Sequence, residues 1–125
     1  MSDHHHIDID VQTRYLAERS EPSRGFYFFA YQVTITNRGE QACQLLARHW
    51  IITDADGNEE EVEGPGVVGE QPLLEPGESF TYSSGCPLTT KAGAMRGYYH
   101  FVDAEGARFR AEIPAFALTQ STFLN

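Results

Sequence analysis

Apolar and polar residues alternate with a period of two along almost the whole chain. Ile7, Ile9, Val11, Thr13 and Tyr15 interleave with Asp8, Asp10, Gln12 and Arg14, the pattern of a strand with one buried face. A breaker run around Pro22 and Gly25 follows. Over residues 26–36, Tyr27, Phe29, Tyr31, Val33 and Ile35 share one face. Phe26, Phe28 and Ala30 begin the other face as apolar, and Gln32 and Thr34 end it as polar. This predicts a long central strand covered on both sides at one end. Asn37-Arg38-Gly39 turns the chain. A third strand is expected over residues 44–53, with Leu46, Trp50 and Ile52 on one face and Leu45, Ala47, His49 and Ile51 on the other. Residues 54–58, Asp-Ala-Asp-Gly-Asn, read as a hairpin turn. Residues 59–62 read as a short acidic edge strand and residues 64–77, rich in Gly and Pro, as loop. Strands follow over residues 79–83 and 95–102. A turn at 103–106 leads into residues 108–113, and past Pro114 a short final piece covers 116–118. Nothing reads as a helix of useful length.

Seven to eight antiparallel strands separated by turn signals predict an all-β, two-sheet sandwich. Trp50 stands in the third strand, where immunoglobulin-like domains often place a core tryptophan. The 125 residues are 41% hydrophobic and 12% aromatic, enough apolar material for one core without disulfide staples. With no internal repeat and no linker, the expectation is a single domain over residues 1–125, with residues 1–6 disordered.

Charge narrows the partners. The chain has 18 acidic and 9 basic residues, a formal net charge of -9, and Lys91 is its one lysine. Such a surface repels phosphate backbones and anionic lipid, so nucleic acid and membrane are not expected partners. Cations and basic protein patches are. Cys43 and Cys86 are too few for a disulfide framework. No basic, apolar leader is visible at the N-terminus, and no window approaches the roughly 18 to 20 apolar residues of a membrane helix. The expectation is a cytoplasmic protein with free thiols.

Gly64, Gly66 and Gly69 match G-x-G-x-x-G, a pattern that binds dinucleotides when it joins a strand to a helix. Pro72, Pro76 and Gly77 forbid a helix here, Pro65 removes a backbone donor, and Glu59, Glu60, Glu61, Glu63 and Glu70 would repel phosphate. The glycines are read instead as allowing positive φ and close backbone approach in a long inter-sheet loop.

Other constellations are weaker. Asp3, His4, His5 and His6 could bind cobalt, nickel or zinc, as any histidine-rich terminus can. Asp54, Asp56, Asn58 and Glu59 fail the calcium-loop template, which needs glycine at position six and glutamate at twelve, where Glu59 and Pro65 stand. Ser83, Ser84, His100 and Asp103 supply the residue types of a hydrolase triad without a nucleophile elbow. Cys43 and Cys86 lack the spacing of a thiol catalyst or a zinc site. Some of Tyr27, Phe28, Tyr98, Tyr99 and Phe101 could form an exposed aromatic patch suited to protein recognition.

The run Gly64-Pro65-Gly66-Val67-Val68-Gly69-Glu70-Gln71-Pro72-Leu73-Leu74-Glu75-Pro76-Gly77, followed by Phe80-Thr81-Tyr82-Ser83-Ser84-Gly85, resembles the signature of the bacterial ApaG family. Val11-Gln12-Thr13-Arg14-Tyr15, Phe29-Ala30-Tyr31-Gln32-Val33-Thr34-Ile35, residues 44–53 and Met95-Arg96-Gly97-Tyr98-Tyr99 agree with it in the same order. The resemblance implies a small sandwich related to fibronectin type III and immunoglobulin domains. It implies an association with cobalt resistance and magnesium efflux, no established enzymatic activity and no catalytic residues to carry over. Similar domains in eukaryotes are appendages of F-box proteins and of a polymerase-delta-interacting protein, which implies an interaction module. The leading expectation is therefore a non-enzymatic binding domain with an unidentified protein partner and no cofactor. It would make contact through a sheet face or through Gly64, Gly66, Gly69, Pro72, Pro76 and Gly77. Divalent-metal binding is the alternative, and a nucleotide or pyrophosphate site in the glycine loop stands last. The chain is expected to be a monomer or a homodimer through exposed edge strands.

Overall fold

A computed structural model describes residues 5–120. Eight strands run in chain order: β1 Ile7–Tyr15, β2 Tyr27–Asn37, β3 Cys43–Asp54, β4 Glu59–Pro65, β5 Leu73–Leu74, β6 Ser79–Leu88, β7 Gly93–Asp103 and β8 Arg108–Leu118. Two single 3-10 turns, Ala17–Arg19 and Pro22–Arg24, fill the breaker run. One sheet has the order β1-β2-β6. The other has the order β4-β3-β7-β8, with β5 added against β3, and every pairing is antiparallel.

The alternation fills the space between the sheets. Phe29, Tyr31, Val33 and Ile35 of β2 face Leu45 and Trp50 of β3 and Met95, Tyr99 and Phe101 of β7, all buried. Trp50 is the hub. Its ring meets Tyr31 edge-on at 5.5 Å, Phe116 at 5.9 Å and Tyr99 at 6.2 Å, geometries that aromatic quadrupoles favour. The buried hydroxyls of Tyr82 and Tyr99 satisfy each other at 2.6 Å. Burial pushes both phenols well above the ordinary tyrosine range.

The structure departs from several expectations, among them the end of β6, which runs to Leu88 and not to Ser83. Leu45, not Leu46, lies in the core with Trp50, because β3 carries a β-bulge between Leu45 and Ala47. The extra residue reverses the parity of everything before it. The region 64–77 is not all loop, since Gly64 and Pro65 extend β4, and Leu73 and Leu74 pair with Gln44 and Cys43. Pro114 does not break the last strand, because β8 accommodates it at a second irregularity opposite Met95 and Gly97, where a missing donor costs little. At the N-terminus His5 and His6 are placed. His5 stacks on Phe109 at 3.8 Å and bonds Asp103 at 2.8 Å, and His6 bonds Asp8 at 3.0 Å. Asp3 and His4 lie outside the described residues.

Candidate functional site

The glycine run is hydrogen-bonded in place, and its anchor is the β-bulge. Bulging turns the Leu46 carbonyl out of the ladder, where it accepts hydrogen bonds from the Gly66 N–H at 2.8 Å and from Gln71 Nε2 at 2.9 Å. The Leu45 N–H donates to the Pro72 carbonyl at 3.0 Å, and Gln44 Nε2 to the Gln71 carbonyl at 3.0 Å. Arg48 sits beyond the bulge. Its Nη1 donates to the carbonyls of Pro65 and Gly66, each at 3.0 Å.

Each glycine has its own physical reason. A side chain on Gly64 would meet the Arg48 guanidinium at 2.9 Å. Gly66 stands at φ 62°, and a Cβ there would collide with the Glu70 carbonyl. Gly69, at φ 85°, is the second central residue of a tight turn. That turn is closed by Val67 N–H to Glu70 O at 2.8 Å and Glu70 N–H to Val67 O at 2.9 Å. Its first central residue, Val68, stands at φ 43°, so both central residues have positive φ, as in a type I′ turn. Gly66, Val67 and Glu70 therefore spend their backbone donors on β3 and on the turn itself. The loop does not precede a helix, and exposed Glu63 and Glu70 flank it, so it lacks the strand-to-helix setting of a phosphate-binding loop.

The far end of the loop is clamped by Asn37, which is fully buried. Its Nδ2 donates to the carbonyls of Gln41 and Leu74, each at 2.9 Å, and its Oδ1 accepts from the Gly39 N–H at 2.8 Å. Its carbonyl accepts from the Gly77 N–H at 2.7 Å. Pro76 and Gly77 occupy the centre of the turn from Glu75 to Glu78, with Gly77 at φ 89°, as a Pro-Gly type II turn requires. So held, the loop buries Val67 and Leu74 and leaves Val68 55% and Leu73 59% exposed.

The remaining candidates do not come together as chemical sites. Ser84 faces the inter-sheet space, Ser83 faces solvent from the same strand, and His100 lies on the outer face of the other sheet, opposite Arg110 and Ala47. Asp103 is a turn cap. Its Oδ1 accepts from the N–H groups of Glu105 and Ala107, each at 2.9 Å. The bond from His5, followed by those backbone bonds, holds its carboxyl below the usual range. Asp54 caps the β3–β4 turn in the same way through Asp56 and Asn58, which uses the oxygens a cation would need. Among the described residues no group of three or more His, Cys, Asp and Glu side chains is placed to hold a metal ion. Cys43 and Cys86 are buried free thiols. Burial raises both, Cys86 to about 11, which makes them poor nucleophiles near neutral pH. The aromatic candidates divide. Tyr99 and Phe101 are core. Tyr98 lies outward between His49, stacked at 4.7 Å, and the Arg110 guanidinium at 3.9 Å. Phe28 lies under Arg19 on the outer face of the opposite sheet, so no single patch forms.

Comparison with known proteins agrees with this architecture. A model of the ApaG domain matches residues 17–103. Protein ApaG of Pseudomonas paraeruginosa is 55% identical over 119 residues, covering 94% of each chain. Protein ApaG of Thiobacillus denitrificans is 56% identical, covering 95% of this chain and 94% of its own. The crystal structure of a protein described as ApaA from Bordetella pertussis superposes with a TM-score of 0.92 at 49% identity, over 95% of this chain and 97% of that one. The chain belongs to the ApaG family.

Proposed function

We propose that this protein is a non-enzymatic recognition domain that docks a protein partner on the preformed loop of residues 64–77. The observation that carries the reading is Val68. A β-branched side chain at φ 43° is a conformation that asparagine or glycine adopts far more readily. It costs on the order of 1 kcal/mol, and the apolar side chain it holds is solvent-exposed. Strain that presents an apolar group to water has no folding rationale and fits a binding anchor. Glu63, Glu70 and Glu75 surround the anchor in sequence and are exposed, so the partner we infer offers an apolar pocket with a basic rim. The free thiols fit a reducing, cytoplasmic setting. The association with cobalt resistance and magnesium efflux then runs through the bound partner.

Val68→Asn separates binding from folding. The turn gains its preferred residue, so the melting temperature rises by about 4 °C, while capture of the wild-type partner from lysate is lost. Undiminished capture by Val68→Asn, or no specific partner for the wild type under any condition, overturns the proposal.

A further inference from the structure

The two sheets meet on one side, where β1 touches β8, and part on the other, where the β4 and β6 edges flank a cleft of about 250 Å³. Its walls are apolar, built from Trp50, Ile52, Val62 and Met95. Four polar residues interrupt them at inward-facing positions, Ser84, Arg48, Glu60 and Tyr31, and the hydroxyls of Ser84 and Tyr31 are hydrogen-bonded to each other. Ser84 stands between the buried Tyr82 and Cys86 on β6, directly opposite Tyr31. Arg48 stands two residues before Trp50 on β3. Alternation calls for a large apolar residue at both places. Serine leaves space there, and arginine puts a positive charge beside it.

The charge of Arg48 is not neutralised. Among the described residues no carboxylate lies within 4.0 Å of its guanidinium. Nη1 is engaged by the Pro65 and Gly66 carbonyls, which leaves Nε and Nη2 as donors in the fork geometry that matches a carboxylate. Glu60 also lines the cleft but pairs with Ile52, two rungs of alternate residues away from the Arg48–Gly64 rung, about 13 Å along the strand. The cleft thus has one cationic end, a middle of Trp50 and Val62, and an acidic rim that repels a second negative charge.

We propose that this cleft binds a monocarboxylate with a short branched apolar body, its carboxylate on Arg48 and Ser84 and its body against Trp50 and Met95. Val68 does not line the cleft, although Arg48 also holds the loop that carries it. 4-methylpentanoate, a branched acid of eight non-hydrogen atoms, is a probe of this class small enough to test in a cleft of about 250 Å³. The same chemistry could be presented by a free acid or by the C-terminal residue of an extended chain lying along β6.

Trp50 is the chain's single tryptophan and reports occupancy directly. Titration of the intact protein with 4-methylpentanoate should give a saturable change in Trp50 fluorescence, with a dissociation constant on the order of 1 mM. The isosteric 4-methylpentanamide should bind about tenfold more weakly or worse. In heteronuclear NMR the shifts should gather on the Arg48 side-chain Nε–H and the Ser84 and Cys86 amides. Ser84→Leu, which fills the cleft, should abolish the response; should that variant not fold, the acid–amide comparison on the wild type decides alone. Acetyl-Gly-Leu tells the sources apart: tighter binding than the free acid assigns the cleft to a chain terminus, weaker binding to a small acid. Equal binding of acid and amide, an unaltered response in folded Ser84→Leu, shifts clustered elsewhere, or no saturable response overturns the proposal.

Discussion

At Gly66 a side chain is excluded twice, by the left-handed backbone at φ 62° and by the collision of any Cβ with the Glu70 carbonyl. At Gly69 only the backbone reason applies, since nothing lies within 4 Å of an added Cβ. The two alanine variants should therefore differ. Gly69→Ala should cost about 1 kcal/mol, the ordinary penalty for alanine at positive φ. Gly66→Ala should cost about 3 kcal/mol or more, because the Gly66–Leu46 bond must move with the backbone. Denaturant unfolding measures both, and equal losses would mean that the loop yields as freely at 66 as at its tip. Sequence alone marks both positions as glycine and cannot rank them, because the ranking depends on which carbonyl the fold brings alongside. Asn37 shows the same blindness. Asn37-Arg38-Gly39 reads as a turn and is one, yet the side chain also clamps Leu74, 37 residues later.

Strand β3 carries most of what periodicity could not supply. Strict alternation puts Leu46 with Trp50, whereas the bulge puts Leu45 there, fully buried, and leaves Leu46 half-buried. Leu45→Ala should cost about 3 kcal/mol and Leu46→Ala about 1 kcal/mol, again by denaturant unfolding; the reverse order would refute the register. The bulge escapes a period-two reading because one extra residue leaves no compositional mark. β1, β2 and β7 are legible because large apolar residues hold most of their inward positions, interrupted by Thr13 in β1 and Gly97 in β7. β6 was legible only as far as Ser83, since Ser84 and Gly85 look like turn residues. In the fold Ser84 borders the cleft, and Gly85 is bare because the Phe28 ring lies where its side chain would be. The glycine signature named the family from sequence, but the Arg48 and Leu46 contacts that hold it required the register.

Across the whole sandwich, the closed side is tied by a polar link between its sheets. His5, leading into β1 of one sheet, bonds Asp103 at the end of β7 in the other. Asp103 is held below its ordinary pKa by that bond first and by the turn amides second. Asp8 is lowered as well, chiefly by Arg38 at the start of the β2–β3 turn. For a carboxylate depressed in the folded state, the unfolded chain binds the proton more readily. The stabilisation is therefore fully present above the unfolded value near 3.9 and is lost as pH falls through the folded value. Melting temperature should stay nearly level from pH 7 to about pH 5 and fall steeply below about pH 4. Asp103→Asn keeps an oxygen to accept from Glu105 and Ala107 but loses the charge facing His5. It should melt below the wild type at pH 7, with the gap narrowing as the wild-type carboxylate protonates below about pH 4. A gap that stays constant from pH 7 to pH 3 would show that Asp103 acts through its shape in the turn and not through its charge.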